Sequence, residues 1–152
     1  MAELVARNPA YETRVRESFA RQSFMRTLGV ELLSIDPGRV EMRLAYNDGL
    51  CQQHGFFHGG VIGTLADNAG GYAAFSLMAA EDSVLTVEYK LNIVAPGDGE
   101  ALLVRGAVLR PGRTLTVCRA DVFAVKDGHE KLCATALCTL MTMAGKSDGP
   151  ST

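Results

Sequence analysis

The sequence lacks a marked excess of charge of either sign. Its 15 Lys and Arg residues stand against 17 Asp and Glu residues, which leaves a net charge of −2 over 152 residues. A chain with so little net charge has no field that would draw it onto nucleic acid or an anionic membrane surface. We therefore expect neither nucleic acid nor membrane among its partners, and an anionic ligand would have to be held by a few local cations.

Cysteine motifs and long N-terminal apolar runs are missing as well. The four cysteines form no CxxC pair, and no histidine stands at zinc-finger spacing from them, so neither a metal site nor a redox motif is indicated. The N-terminal MAELVARNPAYETRVRESF is charged throughout, unlike a signal peptide or a membrane anchor. Free thiols without such a segment are typical of a cytoplasmic protein, and we expect no metal and no cofactor.

The length and the spacing of apolar residues predict one domain that begins with a helix. Apolar residues recur every four or five positions from about Pro9 to Leu28, which is typical of an amphipathic helix packed on the outside of a domain. The residues on its apolar face are Val15, Phe19, Phe24 and Leu28. A β-hairpin is predicted next, from Val30 to Ile35 and from Val40 to Tyr46 around the turn at 36–39.

A second helical segment runs from His58 or Gly59 to about Ala80 and is apolar on every face, which predicts a buried helix. Four strand-like runs follow it, separated by turn-forming Gly, Pro and Asp; they are Val84–Val94, Ala101–Arg110, Thr114–Val125 and Lys131–Met143. This order predicts an α+β fold in which one antiparallel sheet curls around a long central helix. We divide the chain into an N-terminal helical segment at 1–28, the main domain at 29–144 and a disordered tail at 145–152.

The stretch HGFFHGGVIGTLADNAGG, residues 54–71, crowds small residues around a single acid. His58, Gly59 and Gly60 lie where the loop enters the long helix, and a helix N-terminus carries unpaired N–H groups with a partial positive charge. Two interpretations stay open. The turn stabilises an anion or an oxyanion, or its glycines only make a tight connection.

Asp67 is the second feature of this stretch. A lone carboxylate among apolar helix residues is costly to desolvate unless it is paired or functional; the alternative is an aspartate that hydrogen-bonds to a neighbouring strand. Asp67 follows Gly59 by eight residues, which is roughly 12 Å along a helix. One substrate carbonyl cannot touch both within a monomer, so joint action predicts a homodimer with two antiparallel helices across a two-fold axis.

These motifs resemble those of a known family. QQHGFFHGGVIGTLAD at 52–67 and TVEYKLN at 86–92, followed by Pro96, are similar to the hot-dog-fold acyl-CoA thioesterases. The nearest branch is the phenylacetate-pathway and 4-hydroxybenzoyl-CoA thioesterase group, whose signature is HGG with an acid nine residues after the histidine. The likeness extends over roughly 28–143, and it implies the same hot-dog fold that the element order predicts.

The resemblance implies a role for each matching residue. Asp67 matches the catalytic carboxylate, a general base on water or a nucleophile on the thioester carbon, and Thr86 matches a hydroxyl that assists it. Gly59 matches the residue whose N–H polarises the thioester carbonyl, with His58 supporting the loop. Gln52 would orient the water or the carbonyl. Gln at this position with Asp as the acid mixes features of different branches, which leaves the choice between base and nucleophile open.

Further residues are predicted to bind substrate: Gly60 at the turn, Asn68 beside the acid, the loop residues Phe56 and Phe57, and the surface cations Arg110 and Arg113. The phenylalanines would line the acyl pocket, or they would simply fill the core. The arginines bracket an exposed Pro-Gly turn and would hold the phosphates of CoA, or they would only keep the surface soluble.

Hydrolysis of a small aryl- or short/medium-chain acyl-CoA, with CoA as part of the substrate, is the function that these residues predict. A hydratase is less favoured, because that class pairs a histidine with an acid in other local motifs. The alternative from another class is a non-catalytic acyl-CoA binder, which would have no need of the Asp67 carboxylate. A homodimer follows from the site argument, and a homotetramer follows from the resemblance only.

Overall fold

The computed structural model describes residues 4–149 of the chain. Its α-helices are α1 (Tyr11–Arg21), α2 (Ser23–Leu28) and α3 (Gly59–Phe75). Its strands are β1 (Val30–Asp36), β2 (Arg39–Ala45), β3 (Ser83–Ile93), β4 (Ala101–Arg110), β5 (Leu115–Lys126) and β6 (His129–Met143). A short 3-10 turn at Asp48–Leu50 precedes the loop that enters α3.

The strands of this described part form one antiparallel sheet in the order β1-β2-β4-β5-β6-β3. The long helix α3 packs against the inner face of the sheet, where Leu65, Ala66 and Ala69 are fully buried. The predicted α+β architecture, an antiparallel sheet wrapped around a central helix, is confirmed. β1 and β3 lie at the two edges of the sheet.

The helix and the sheet approach each other through small residues. A Cβ atom on Gly106 of β4 would overlap the backbone of Ala69 in α3, and one on Gly70 would lie 3.1 Å from the Sγ atom of Cys138. Glycine inside a helix costs up to ~1 kcal/mol relative to alanine. At Gly70 this penalty is offset by a close contact that a larger side chain would disturb.

The N-terminal helix differs from the prediction. It is two helices, because the backbone of Gln22 is extended, with φ −73° and ψ 100°, and ends α1. The break rotates α2 relative to the expected apolar face, so that Met25 is buried whereas Phe24 is 56% exposed. The placement of Phe24 on the buried face is therefore wrong, while Val15 is fully buried as expected.

The long helix ends at Phe75, earlier than the predicted end near Ala80. The hydroxyl of the next residue, Ser76, donates to the carbonyl oxygen of Ala73 at 2.7 Å and accepts from the N–H of Gly38 at 2.8 Å. One buried side chain thus satisfies groups at the end of α3 and at the β1–β2 turn.

The described part of the C-terminal tail lies beside α1. The guanidinium of Arg21 contacts the carboxylate of Asp148 at 2.6 Å, and the N–H of Gly145 donates to Asp82 at 3.1 Å. Residues 150–152 lie outside the described residues, and the disorder of 145–152 stays a prediction, as does the division of the chain at residues 28 and 144. None of the helices among residues 4–149 has the length and apolar composition that crossing a bilayer requires.

Gly106→Ala is expected to lower the free energy of unfolding by about 1–3 kcal/mol, because the added methyl group would press on the backbone of α3. Urea unfolding measures this change. Gly71→Ala is the matched control, since a Cβ on Gly71 meets no atom within 4 Å and alanine is the better helix former. Equal losses of stability in the two variants would contradict close packing as the reason for Gly106.

Candidate active site

The N-terminus of α3 is capped by the side chain of His58. Its backbone is extended, with φ −63° and ψ 140°, and its Nδ1 atom accepts a hydrogen bond of 2.9 Å from the N–H of Gly60. Its carbonyl oxygen accepts from the N–H groups of Val61 and Ile62 at 2.9 and 3.1 Å. His58 therefore lies where a residue that supports the loop would lie, and the N–H of Gly60 is already used by the protein.

The N–H of Gly59, the first residue of α3, is different. No acceptor among residues 4–149 takes a hydrogen bond from it, whereas the next three N–H groups all bond to His58. It lies at the positive end of the helix dipole, where a developing negative charge is stabilised. The start of α3 thus presents one N–H that an oxyanion could use.

Asp67 lies in the middle of α3 and is half-buried. Its Oδ1 atom accepts a hydrogen bond of 2.8 Å from the hydroxyl of Thr86 on β3. Burial raises the pKa of this carboxyl above its ordinary value of 3.8, and the bond from Thr86 opposes that change because it favours the charged form. A carboxyl with a raised pKa in a cleft is a candidate general base.

Thr86 reaches Asp67 at a point where β3 is irregular. The pairing between β3 and β6 shifts register between Thr86 and Glu88, and a bulge of this kind redirects neighbouring side chains. The contact is the one that the resemblance implies for Thr86. It also fulfils the alternative in which Asp67 bonds to a neighbouring strand, so the geometry alone is compatible with both interpretations.

A cavity of about 180 Å³ lies beside Asp67, between α1, α3 and the start of β3. Asn68, a predicted substrate-binding residue, borders it and donates a hydrogen bond of 2.9 Å from Nδ2 to the Oε1 atom of Gln22. Ser18, Gln22, Tyr72 and Asp148 also border it. The sequence singled out neither Ser18 nor Gln22 as a site residue, because no local motif joins them.

Gln52 lies in the loop before α3 and not at Asp67. Its Oε1 atom accepts from the N–H of His54, and its backbone N–H donates to the carbonyl oxygen of Phe56 at 2.9 Å. These bonds close a turn in which Gly55 has φ +80°. Within one chain, Gln52 helps to shape the loop, and its predicted contact with water or the substrate carbonyl stays a prediction.

The two loop phenylalanines have different surroundings. Phe57 is 2% exposed and packs edge-on against Tyr46, with the ring centroids 5.6 Å apart. Phe57 also packs closely against Gly97, because a Cβ atom added to Gly97 would lie 3.1 Å from the Cβ atom of Phe57. Phe57 therefore packs as the core alternative requires, and its predicted contact with the acyl group stays a prediction. Phe56 is half-buried, and its predicted role stays open.

Arg110 ends β4, and Arg113 lies in the turn before β5; both are exposed. Thr142 of β6 donates to the carbonyl oxygen of Thr114 at 2.8 Å and pairs on its other side with Val84, which borders the cavity. Two strand spacings, about 10 Å, therefore separate Thr114 from this wall of the cavity, and Arg110 on β4 lies one strand farther away. The turn lies at the end of the sheet that contains the cavity, and the binding role of the arginines stays a prediction.

The cysteines lie apart from this site. All four are free thiols within the described residues, and three of them, Cys118, Cys133 and Cys138, are buried. Burial raises the pKa of Cys118 to about 12 and of the other two to about 11, so they remain protonated at neutral pH. Among residues 4–149, no three His, Cys, Asp or Glu side chains come together as a metal site would require.

A sheet wrapped around a long helix, with one half-buried acid and one open N–H on that helix, defines a hot-dog-fold protein. Comparisons with known proteins agree. The family model of the thioesterase superfamily matches residues 54–131. The crystal structure of a thioesterase family protein from Silicibacter pomeroyi superposes with a TM-score of 0.88 and 50% identity, over 89% of this chain and 99% of that one.

Two curated relatives extend the comparison. Human acyl-coenzyme A thioesterase 13 is 30% identical over 66% of this chain and 73% of its own length. The 1,4-dihydroxy-2-naphthoyl-CoA hydrolase of Listeria monocytogenes is 25% identical over 75% of this chain and 90% of its own length. The chain belongs to the thioesterase superfamily. It is a thioester hydrolase.

Thr86→Val is expected to raise the pKa of Asp67 further, because valine keeps the shape of threonine but cannot donate to the carboxylate. The acidic limb of the pH profile of kcat/KM for a thioester substrate should move to higher pH. Thr86→Ser, which keeps the hydroxyl, should leave the limb near its native position. A limb that does not move in the valine variant would contradict Asp67 as the titrating group held by Thr86.

Proposed function

We propose that the chain hydrolyses the thioester of a small aryl- or short/medium-chain acyl-CoA to the free acid and CoA. The observation that carries this proposal is the half-buried carboxyl of Asp67, with its raised pKa and its bond from Thr86, at the wall of a cavity of acyl size. Two of the relatives described above act on CoA esters by name, which supports CoA as the carrier of the acyl group.

Two chemical routes are open to Asp67. As a general base, it takes a proton from water while the water oxygen bonds to the thioester carbon; the tetrahedral intermediate then expels the CoA thiolate, which takes up a proton. As a nucleophile, its carboxylate oxygen bonds to that carbon and displaces the thiolate, and water then hydrolyses the mixed anhydride. The carbonyl oxygen becomes negative in both routes, and the N–H of Gly59 would stabilise it.

The site is completed by a second copy of the chain in this proposal. Since α3 is one unbroken helix, Gly59 and Asp67 are roughly 12 Å apart along its axis and cannot contact the same carbonyl. β3 is an edge strand on which Leu85 and Val87 are 55% and 54% exposed. An apolar edge strand of this length is a typical pairing surface. A homodimer in which Asp67 of one copy faces Gly59 of the other meets both constraints.

The proposal also covers a higher assembly and the contacts with CoA. A homotetramer is proposed on the resemblance alone. Arg110 and Arg113 are the cations that we propose for the phosphates of CoA, since both are exposed and flank the turn between β4 and β5.

Asp67→Asn is expected to lower kcat for thiol release from CoA esters by about 10²–10⁴-fold, the usual contribution of a positioned acid or base. The variant should still bind the esters, because an amide occupies the same space. Thiol release is measured side by side with the native chain on a panel from acetyl- to hexadecanoyl-CoA together with benzoyl- and phenylacetyl-CoA. Tight binding without turnover of any ester by the native chain would indicate a non-catalytic acyl-CoA binder instead.

The stability of the same variant separates loss of chemistry from loss of fold. A carboxyl whose pKa is raised by folding stabilises the fold below its unfolded pKa, and this contribution is lost as the pH rises through the folded pKa. Where Asp67 is ionised, the native chain therefore carries an unfavourable, partly buried charge that Asp67→Asn removes. The Tm of the variant should equal or exceed the native Tm at pH 7. A large drop in Tm would mean that the activity loss reports unfolding.

Gly59→Pro tests the shared site, because proline has no N–H and is well tolerated at the first position of a helix. The extended backbone of His58, with ψ 140°, is what a residue before proline requires. We expect the variant to fold and to lose most of its activity, and Gly59→Ala, which keeps the N–H, to lose much less.

Mixing the Gly59→Pro and Asp67→Asn chains should then restore activity. Random reassociation makes half of the dimers mixed, and each mixed dimer has one of its two sites intact, so about a quarter of the native activity is expected. Subunit exchange by dilution and reconcentration, followed by a thiol-release assay, measures it. No recovery in demonstrably mixed dimers would contradict a site that draws Gly59 and Asp67 from different copies.

A further inference from the structure

Gln22 occupies an unusual place as the single residue between α1 and α2. Its backbone is extended, and its side chain makes no capping bond to α2. The side chain instead crosses to α3, where Oε1 accepts from Asn68 at 2.9 Å and Nε2 donates to the hydroxyl of Tyr72 at 3.0 Å. One amide therefore bridges two residues that lie one turn apart on the central helix.

The bridge belongs to a wall of four polar side chains at one end of the cavity. The hydroxyl of Tyr72 also shares a hydrogen bond of 3.1 Å with the hydroxyl of Ser18. Ser18 and Tyr72 are buried, whereas Gln22 is half-buried. We define Ser18, Gln22, Asn68 and Tyr72 as the end wall. Asp148 borders the cavity beside this wall, and the exposed Leu85 and Thr86 border it on the β3 side. Since Gln22 borders both the cavity and the solvent, truncating its side chain would open this end of the cavity.

The end wall lies at a definite distance from the acid. Tyr72 follows Asp67 by five residues on α3, which is about 7.5 Å along the helix. Between them, Gly71 borders the same cavity, and a Cβ atom there would meet nothing within 4 Å. The space between the acid and the wall is therefore open on the α3 side, and Gly71 is its floor.

The cavity has the size of one aromatic ring or a chain of similar bulk. Its volume is about 180 Å³, and an apolar cavity of about 150 Å³ is known to hold benzene. A long alkyl group that continues along α3 past this volume would meet the hydrogen-bonded polar groups of the end wall.

We propose that Gln22 is a specificity-determining residue, which closes the acyl cavity and limits it to acyl groups of about one ring. This inference rests on the proposed acyl-CoA hydrolysis. The hydrogen bonds to Asn68 and Tyr72 hold the amide across the gap between α1 and α3. The Oδ1 atom of Asn68 is buried with no partner among residues 4–149, so the bond to Gln22 is the side-chain hydrogen bond that holds Asn68 in place.

The experiment compares kcat/KM for decanoyl-CoA and benzoyl-CoA in the native chain, Gln22→Ala and Gly71→Ala. We expect the ratio of kcat/KM for decanoyl-CoA to kcat/KM for benzoyl-CoA to rise at least tenfold in Gln22→Ala, because the opened end wall lets the decanoyl group extend out of the cavity. Gly71→Ala adds a methyl group to the floor of the cavity and so reduces its volume. The kcat/KM for benzoyl-CoA should therefore fall at least fivefold relative to that for acetyl-CoA. Ser23→Ala, at the exposed neighbour of Gln22, is the control that should leave the ratio unchanged.

A structural role for Gln22 would give a different result. If Gln22 only ties α1 to α3, the alanine variant should lose Tm and lose activity on all esters equally, and an unchanged ratio would overturn the proposal. Sedimentation of Gln22→Ala and Gly71→Ala checks that each has the oligomeric state of the native chain.

The same variants in the Asp67→Asn background keep this inference separate from the proposed function. Calorimetry should show that Gln22→Ala raises the affinity for decanoyl-CoA tenfold relative to the affinity for benzoyl-CoA, in the absence of turnover. If the native chain hydrolyses no ester but Gln22→Ala shifts the binding preference, the hydrolysis proposal fails and the role of Gln22 stands. If the native chain hydrolyses esters with no length preference, or neither Kd nor kcat/KM changes its length dependence, the role of Gln22 fails.

Discussion

The packing of one helix inside one curled sheet is the constraint on which the rest of this structure depends. Gly106 lets β4 come against the backbone of Ala69, and Gly70 makes room for Cys138 on the facing strand. These contacts anchor the middle of α3, a helix of 17 residues, against the sheet. A rigid helix in turn gives its N-terminal N–H group and its central acid fixed positions, as a preorganised site requires.

The same helix also separates the two groups that the chemistry needs. The open N–H of Gly59 and the carboxyl of Asp67 lie on one straight element, so no side-chain rearrangement within a chain can bring them together. An antiparallel neighbour solves the problem because it places the start of one helix beside the middle of the other. The oligomer that we propose is therefore a consequence of the geometry of α3, and the exposed apolar edge at β3 is the surface that could form it.

Elements whose pattern is set by their own residues could be predicted from the sequence. The apolar surface of α3 and the turns between the strands are local signals, and HGG with its acid is a compact motif. The break at Gln22 could not be predicted, because glutamine is no helix breaker and the break is stabilised by bonds to Asn68 and Tyr72. The misplacement of Phe24 follows from this break. Phe57 was ambiguous, since an aromatic residue beside a site looks the same whether it contacts substrate or core.

Two features of the cavity oppose the stability of the fold. Folding raises the pKa of Asp67, so its ionised form is less stable in the native state than in the unfolded chain. The break at Gln22 interrupts a helix in order to place a polar bridge between two helices. A continuous helix and an apolar residue at these positions would satisfy local preferences better. Departures from local preference gather at functional sites. Asp67 and Gln22 both border one cavity, which points to that cavity as the place where substrate is held and selected.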